Sequence, residues 1–302
     1  MGTRQHGSAK APAGIRQAVT VRLVGGPTAL IEVGGLRLLT DPVFDAPGPI
    51  GSGARTLVKT RGPAVAVEEL GAIHAVLLSH DQHADNLDHA GRRLLATVPM
   101  TLTTTKAAGR LGRSATALPP WYHLTLERPD GGCVKVTGVP AQHGPDGSER
   151  ITGPVMGFLL TGPDMPTIYV SGDNASLEVV AQVAERLAPI DIAVVFAGAA
   201  RIPLLDGYLT LTSEQAAEAT ALLGARSVIP VHAEGREHLT QGPDTIRDAF
   251  TRHGLADRLT VLAPGESTTL RPAPQERTTA PHLPGAPGIA PAAPQKRRRE
   301  RP

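Results

Sequence analysis

The sequence predicts an α/β fold built from two sheets with helices outside them. Short apolar runs of β type, separated by Gly-Gly or Gly-Pro turns, fill the N-terminal part of the chain. Two later runs, "DIAVVFAG" and "ARSVIPVH", are almost continuously apolar, which is typical of strands covered on both faces. Helical patterns lie among the strands, and two packed sheets between layers of helices account for this order.

The predicted elements follow one another along the chain. Strands are expected in "AVTVRLVG", "TALIEV", "LRLLTDP", "AIHAVLLS", "CVKVTGVPA", "VMGFLLTG" and "TIYVSGD", and then in the two apolar runs. One helix is expected in "NASLEVVAQVAERLA", with Asn174 as its N-cap. A second is expected in "TSEQAAEATALLGA", where Thr212 and Gln215 have the spacing of a capping box.

A single domain is predicted over residues 19–271. Residues 1–18 are polar and rich in Gly and Ala, so we expect a flexible N-terminus. Residues 272–302 are dominated by Pro and Ala without any apolar period, which predicts a disordered tail. Its basic end, "KRRRER", is interpreted as a solvated terminus; a weak contact with nucleic acid or an anionic surface is the alternative.

The composition excludes several classes of protein. Aromatic residues are only 3% of the chain, so the core must consist mainly of Val, Leu, Ile and Ala. A net charge of +2 indicates no nucleic-acid partner for the folded domain. The single cysteine, Cys133, rules out a disulfide within the chain and disfavours a cysteine-based zinc site. No apolar run is long enough to span a membrane and no secretory signal is present, so a cytoplasmic location is expected.

Good metal ligands stand at the ends of predicted strands that are far apart in sequence. His80, His143, Asp173 and His232 each end such a run. Taken singly, each has an ordinary explanation as a surface histidine or a turn residue. Their coincidence favours a metal site at one edge of a sheet, where strands fix the ligands and loops leave room for substrate.

The stretch "SHDQHADNLD", which begins at Ser79, adds further ligands of the same type. Neutral imidazoles and carboxylates suit Zn, Mn or Fe, and one carboxylate can bridge two ions. Bound metal lowers the pKa of water and so generates hydroxide near neutral pH. Asp85 is the candidate catalytic residue, since it could orient the nucleophile or accept its proton; as an alternative it caps the following helix.

Several pieces of the chain together resemble the metallo-β-lactamase superfamily over about residues 19–265. They include "VLLSHDQHADNLD", "VPAQHGP", "YVSGDNA", "VIPVHAEG" and "LAPGE". The branch that they most resemble includes the ascorbate phosphate lactonases and the N-acylphosphatidylethanolamine phospholipases D. The resemblance implies a four-layer αββα sandwich and a metal-dependent hydrolase that uses metal-bound hydroxide on an ester, lactone or phosphodiester of a small molecule. The alternative is a non-hydrolytic member, either an iron redox protein or a binding module. Assembly into a homo-oligomer stays open.

The chain departs from the family signature His-x-His-x-Asp-His. Counted back from Asp85, His83 takes the second histidine position and Asp81 takes the first, while His80 comes one residue early. We favour His80 as the ligand because a loop absorbs one extra residue easily; Asp81 as a carboxylate ligand is the alternative. Asn86 replaces the last histidine, and its amide is a weaker ligand for zinc.

The resemblance implies two metal sites with a shared carboxylate. The first would consist of His80, His83, His143 and Asp173, and the second of Asp85, His232 and Asp173, with Asn86 or His89 as further candidates. The second site is one strong ligand short. We therefore expect one or two divalent ions, with zinc favoured and manganese or iron as alternatives.

Asp41, in "LLTDPVF", ends a strand that should reach the same edge. It is either a turn cap before Pro42 or, as the resemblance implies, a carboxylate that orients a metal-binding histidine. Arg201 and His238 lie in regions that could contact substrate.

Overall fold

The fold is described from a computed structural model, which covers residues 17–51 and 56–271. The predictions for residues 1–16 of the N-terminus and for the tail at residues 272–302 lie outside the described residues. The boundaries proposed for the single domain stay predictions. Within the described residues, none of the helices has the length and apolar character that crossing a membrane would need.

The strands and helices alternate through most of the chain. The strands are β1 (Val19–Gly25), β2 (Thr28–Val33), β3 (Leu36–Thr40), β4 (Gly48–Ile50), β5 (Leu57–Lys59), β6 (Ala75–Leu77), β7 (Thr101–Thr103), β8 (Thr116–Ala117), β9 (His123–Glu127), β10 (Cys133–Pro140), β11 (Met156–Thr161), β12 (Ile168–Val170), β13 (Ile192–Phe196), β14 (Ser227–Val231) and β15 (Ser267–Leu270). The helices are α1 (His89–Leu95), α2 (Thr105–Leu111), α3 (Glu149–Thr152), α4 (Leu177–Leu187), α5 (Ser213–Leu222) and α6 (Pro243–Arg252). Short 3₁₀ helices cover Val67–Leu70, Gly112–Ser114 and Ala256–Arg258.

Two mixed sheets form the centre of the molecule. The first has the strand order β15-β1-β2-β3-β6-β7-β8, and the second has the order β14-β13-β12-β11-β10-β9. In the first sheet β3, β6, β7 and β8 are parallel, and in the second β12, β13 and β14 are parallel. β4 and β5 form a separate two-stranded antiparallel ribbon.

Alternating side chains on the strands form one aliphatic core between the sheets and one outside each sheet. On β13, Ile192, Val194 and Phe196 point into the space between the sheets, while Ala193 and Val195 point outward. β2 follows the same period of two, with Ile31 inside and Leu30 outside. Burial on both faces explains why these runs are continuously apolar in the sequence.

Helices cover the outer face of each sheet. α4, α5 and α6 pack on the second sheet through residues such as Val183, Ala216 and Phe250. Leu94 and Leu95 of α1 join the apolar cluster on the outer face of the first sheet. The predicted αββα four-layer sandwich is therefore confirmed.

The helix caps agree with the sequence at one predicted position and differ at two. Thr212 and Gln215 form the predicted capping box at the start of α5. Asn174 was the wrong cap for α4, because Ser176 accepts the hydrogen bond from Val179 N instead. The Asn174 side chain is instead hydrogen-bonded to the loop after β10, where its Oδ1 accepts from Gln142 N at 3.0 Å. Asp88, and not Asp85, caps α1.

Candidate metal centre

The predicted ligand residues meet at one edge of the sandwich. His80, His143, Asp173 and His232 follow β6, β10, β12 and β14, whose C-terminal ends all lie at this edge. The sheet registers bring these loops together, although the residues are up to 152 positions apart in sequence. Apart from His83, the candidate ligands in this region are almost fully buried.

The first cluster consists of His80, His83, His143 and Asp173, whose ligand atoms all lie within 4.8 Å of one another. His80 Nε2 lies 2.8 Å from His83 Nδ1, and His143 Nε2 lies 3.2 Å from the same atom. Asp173 Oδ2 lies 3.9 Å from His80 Nε2 and 3.7 Å from His143 Nε2. Three imidazole nitrogens and one carboxylate oxygen therefore surround a single point.

Hydrogen bonds on the far side of two imidazoles fix which nitrogen faces the cluster. His143 Nδ1 donates to Leu209 O at 2.7 Å, which leaves Nε2 with a free lone pair. The hydroxyl of Ser79 donates to Asp41 Oδ2 at 2.6 Å and accepts from His80 Nδ1 at 2.8 Å. Both rings thus present an unprotonated Nε2 to the cluster, as a metal ligand must.

Burial keeps these imidazoles neutral. It lowers the pKa of His80 well below its usual value, and the neighbouring His83 and His143 lower it further. Burial likewise lowers the pKa of His143 to about 4. Because a histidine must be neutral to bind a metal, the cluster is prepared for a cation at neutral pH.

The second cluster consists of Asp85, His232 and His238, whose ligand atoms also lie within 4.8 Å of one another. His238 Nε2 lies 3.0 Å from Asp85 Oδ2, and His232 Nε2 lies 3.5 Å from the same oxygen. Burial alone would raise the pKa of Asp85, but the two imidazoles outweigh it and hold that pKa well below its usual value. Asp85 is therefore an ionised carboxylate between two histidines.

Asp173 lies between the two clusters. Its Oδ2 faces His80 and His143, whereas its Oδ1 lies 3.7 Å from His232 Nε2. Burial raises the pKa of Asp173 to about 7, so this carboxylate lacks sufficient positive charge around it. A divalent cation on either side would supply that charge, and one on each side would make Asp173 a bridge.

Unsatisfied buried atoms also fit a metal. Among the described residues of the site, both ring nitrogens of His232, Nδ1 of His238 and Oδ1 of Asn86 are buried without a hydrogen-bond partner. Leaving a buried polar atom unpaired costs about 1–3 kcal/mol. His232 Nε2 faces Asp85 and Asp173, where a cation would satisfy it. The residues present are therefore a suitable set for one or two divalent ions.

Two site residues have a backbone that is unusual for their type. Asp41 has φ of 26° and His232 has φ of 52°, both in the left-handed region that favours glycine. The His232 backbone is held there by its N–H, which donates to Gly26 O at 2.7 Å. Gly198 packs against the other side, since an added Cβ would lie 2.2 Å from His232 O. Strain of this kind is common where side chains must be aimed at a functional site.

Three of the residues that the sequence left uncertain make contacts of other kinds. Asp81 is buried, but its carboxylate pairs with the guanidinium of Arg110, 29 residues away. His89 is exposed at the start of α1, and its backbone N–H donates to Asp45. Asn86 reaches the site through its amide nitrogen, which donates to Asp173 Oδ1 at 3.2 Å and to Asp41 Oδ2 at 3.0 Å.

The side chain of Asp41 contacts Ser79, the residue before His80, and Asn86, and its orienting role stays a prediction. Its Oδ1 accepts from Ser79 N at 2.6 Å, and its Oδ2 accepts from the Ser79 hydroxyl and from Asn86. Burial raises its pKa to about 7, against the effect of the bonds to Ser79 and Asn86. Asp41 is therefore linked to His80 through Ser79 and to Asp173 through Asn86.

His238 belongs to the second cluster, whereas the sequence analysis named it only as a possible substrate contact. It follows His232 by six positions in an irregular loop and ends no strand. In the stretch "VHAEGREH", the only feature of His238 that pointed to metal binding was that it is a histidine. Arg201 lies nearby but turns outward, with its guanidinium 5.4 Å from the centre of the Tyr208 ring.

Both clusters open onto one cavity with a volume of about 170 Å³. His83, Asp85, His143, Asp173 and His238 lie on its polar side. The other lining residues are two threonines, Thr56 and Thr152, and the apolar residues Leu57, Ile151, Ala200, Ile202, Pro203, Leu204 and Leu209. A ligand in this cavity would contact both the candidate metal ligands and aliphatic side chains.

The fold and the two His/Asp clusters together indicate a metal-dependent hydrolase. The family model described as a β-lactamase superfamily domain matches residues 36–233. The chain belongs to the metallo-β-lactamase superfamily, as the resemblance predicted.

The chain is 30% identical over 241 residues to the UPF0173 metal-dependent hydrolase of Nitratidesulfovibrio vulgaris, covering 80% of this chain and 90% of the relative. A UPF0173 metal-dependent hydrolase of Caldivirga maquilingensis is 25% identical, covering 80% and 93%. The protein is accordingly a metal-dependent hydrolase.

Solved structures share the fold at lower identity. The isothiocyanate hydrolase from Delia radicum gut bacteria has a TM-score of 0.70 at 22% identity, covering 83% of this chain and 99% of its own. The diiron β-hydroxylase CmlA from Streptomyces venezuelae has a TM-score of 0.60 at 20% identity, covering 86% of this chain and 55% of its own. At these identities the likeness concerns the fold alone.

Proposed function

We propose that this hydrolase cleaves a small, uncharged ester or lactone that carries a compact apolar group. The proposal rests on one observation, the opening of the His/Asp clusters onto a largely aliphatic cavity. No lysine or arginine is among the described residues that line it, so a phosphodiester would find no cationic side chain there. An ester or lactone needs none.

The size of the cavity limits the apolar group. An aliphatic cavity of about 150 Å³ holds a benzene molecule, so about 170 Å³ accommodates a group of roughly six carbon atoms beside the reacting centre. The isothiocyanate hydrolase with the similar fold acts, by its name, on another uncharged electrophile. An apolar isothiocyanate therefore belongs among the compounds to be tested.

The residues have separate roles in this proposal. His80, His83, His143 and Asp173 would hold one divalent ion, and Asp85 and His232 would hold a second together with Asp173. When bound, such ions lower the pKa of a water molecule and polarise the scissile carbonyl. Asp85 borders the cavity as an ionised carboxylate, so it can orient the attacking water or accept its proton.

Zinc is the ion that we favour. A first site of three imidazoles and one carboxylate, without any sulfur, suits zinc well, and manganese and iron remain the alternatives. The diiron centre that the name of CmlA specifies keeps iron on the list of metals to be measured. Two equivalents of iron together with a visible charge-transfer band would favour redox chemistry over hydrolysis.

The experiment measures metal content and hydrolysis on the same preparation. The purified chain is analysed by mass spectrometry for metals and then tested with phenyl acetate, a long-chain phenyl ester, an apolar lactone, an apolar isothiocyanate and bis-p-nitrophenyl phosphate. We expect bound metal, chelator-sensitive hydrolysis of the small apolar compounds, and recovery when zinc is returned. Hydrolysis that a chelator leaves unchanged, or a preference for the phosphodiester, would refute the proposal.

A further inference from the structure

We propose that His238 is a metal ligand and that it completes the second site. Its imidazole would replace the histidine of the family signature, whose position is taken by Asn86 in this chain. The inference rests on the proposed function, since it assumes that the clusters hold metal. It lies outside the family match, because the matched residues end at position 233. It also revises the expectation that the second site is one strong ligand short.

The distances around Asp85 are those of a coordination sphere. Two ligand atoms that each lie 2.0–2.1 Å from a tetrahedral zinc are about 3.3 Å apart. Asp85 Oδ2 lies 3.0 Å from His238 Nε2 and 3.5 Å from His232 Nε2. Asp173 Oδ1 lies 3.7 Å from His232 Nε2 on the remaining side. One ion between these atoms would have two imidazoles and two carboxylates as ligands.

Asn86 is prevented from filling the same role by its hydrogen bonds. Its Nδ2 donates both to Asp41 Oδ2 and to Asp173 Oδ1. Turning the amide over would bring its oxygen against two carboxylates, so the nitrogen stays on this side. An amide nitrogen has no lone pair to offer a cation. Asn86 therefore positions the two carboxylates through its nitrogen, and its buried, unpartnered Oδ1 is an amide oxygen, a weaker zinc ligand than the imidazole of His238.

The loop that carries His238 is held in place from both sides. Glu237 N donates to Val58 O at 3.1 Å, and Arg201 N donates to His238 O at 2.9 Å. The imidazole itself is only 7% exposed and lines the cavity beside Asp85. Because the backbone is fixed on each side of the ring, the ligand is preorganised and does not depend on closure of a loop.

A simpler role would be that His238 only donates a hydrogen bond to Asp85. Two substitutions separate these roles. His238→Ala removes both the ligand and the donor, whereas His238→Gln keeps an N–H donor at a similar distance but is a poor ligand for zinc. His253→Ala is the matched control, since His253 pairs with Glu214 on the surface, away from both clusters.

The test measures zinc binding and does not depend on activity. Each full-length variant is dialysed against graded concentrations of a chelator, and zinc per chain is measured; cobalt-substituted samples give an absorption spectrum of the ligand sphere. Circular dichroism checks that each variant is folded.

We expect two ions per chain in the parent and in His253→Ala. Both His238 variants should keep the first ion and bind the second more than about 100-fold more weakly, beyond the 10–100-fold loss typical of an orienting partner.

The possible failures can be told apart. A second ion that is bound equally tightly in the parent and in His238→Ala would overturn the inference and leave the proposed function intact. So would a His238→Gln variant that keeps parental affinity, since His238 would then act only as a hydrogen-bond donor. A parent that binds no ion at all would overturn the proposed function and this inference with it.

Discussion

Asp41 and His80 are joined through a single hydroxyl group. Ser79 Oγ lies 2.6 Å from Asp41 Oδ2 and 2.8 Å from His80 Nδ1, and all three residues are buried. Because the hydroxyl gives its hydrogen to the carboxylate, it can only accept from the imidazole. The connection fixes the proton of His80 on Nδ1 and directs Nε2 toward the first cluster.

Ser79→Ala should weaken the first metal ion while preserving the fold. The substitution removes the acceptor that orients His80, and losing such a partner typically lowers metal affinity 10–100-fold. Titration of the variant with a zinc-sensitive competitor dye measures the change. Thr220→Ala is the control, since its buried hydroxyl donates to Ala216 O inside α5, away from the site. The control should lose about 1 kcal/mol of stability and no metal affinity.

His143→Ala and His232→Ala should each reduce kcat/KM by orders of magnitude and leave the fold largely intact. Both residues end strands and face the sheet edge, so neither side chain supports an apolar core. Steady-state kinetics and metal analysis test this, with the exposed His89→Ala as the control. An unfolded variant that retains its full metal content would show that the ligand assignment is wrong.

Asp81→Asn should leave the metal content unchanged. The Asp81 carboxylate is paired with Arg110 and lies outside both clusters, although it takes the first histidine position when the family signature is counted back from Asp85. Since the Arg110 side chain is about half exposed, the lost pair should cost only about 1–2 kcal/mol of unfolding free energy. Thermal denaturation and metal analysis of one preparation would measure both effects. Loss of an ion would make Asp81 a ligand after all.

Ile202→Trp should narrow the cavity and change substrate preference. The larger ring would occupy space that the apolar part of the substrate needs, so kcat/KM for phenyl esters should fall at least tenfold. Methyl acetate, whose groups are smaller, should be affected much less. Leu222→Trp places the same ring on the exposed surface of α5 and serves as the control. Equal losses for both esters would indicate general damage to the site and count against the assigned cavity.

Local sequence patterns could predict most of the fold and those candidate ligands that follow strands. His143, Asp173 and His232 each follow a recognisable apolar run, and such runs meet at one edge of a sheet. β4 and β8 were not predicted, because their two or three residues stand outside any longer apolar run and carry no periodic signal.

The remaining differences come from contacts between distant parts of the chain. Whether Asp81 or His80 faces the cluster depends on Arg110, whose proximity no local pattern reveals. Asn174 is not a helix cap because Gln142, 32 residues earlier, occupies its side chain. The loop that brings His238 to Asp85 is hydrogen-bonded to Val58 and Arg201, which are distant in sequence. Long-range hydrogen bonds of this kind follow from the assembled fold and not from local propensity.

The most direct measurement of the two-ion arrangement is a crystal structure of the zinc-loaded protein with anomalous scattering at the zinc edge. We expect two peaks per chain, one bounded by His80, His83, His143 and Asp173, and the other by Asp85, Asp173, His232 and His238. Zinc–nitrogen distances should be about 2.0–2.1 Å at each imidazole. A single peak, or a second peak that contacts Asn86 while His238 points away, would contradict the account.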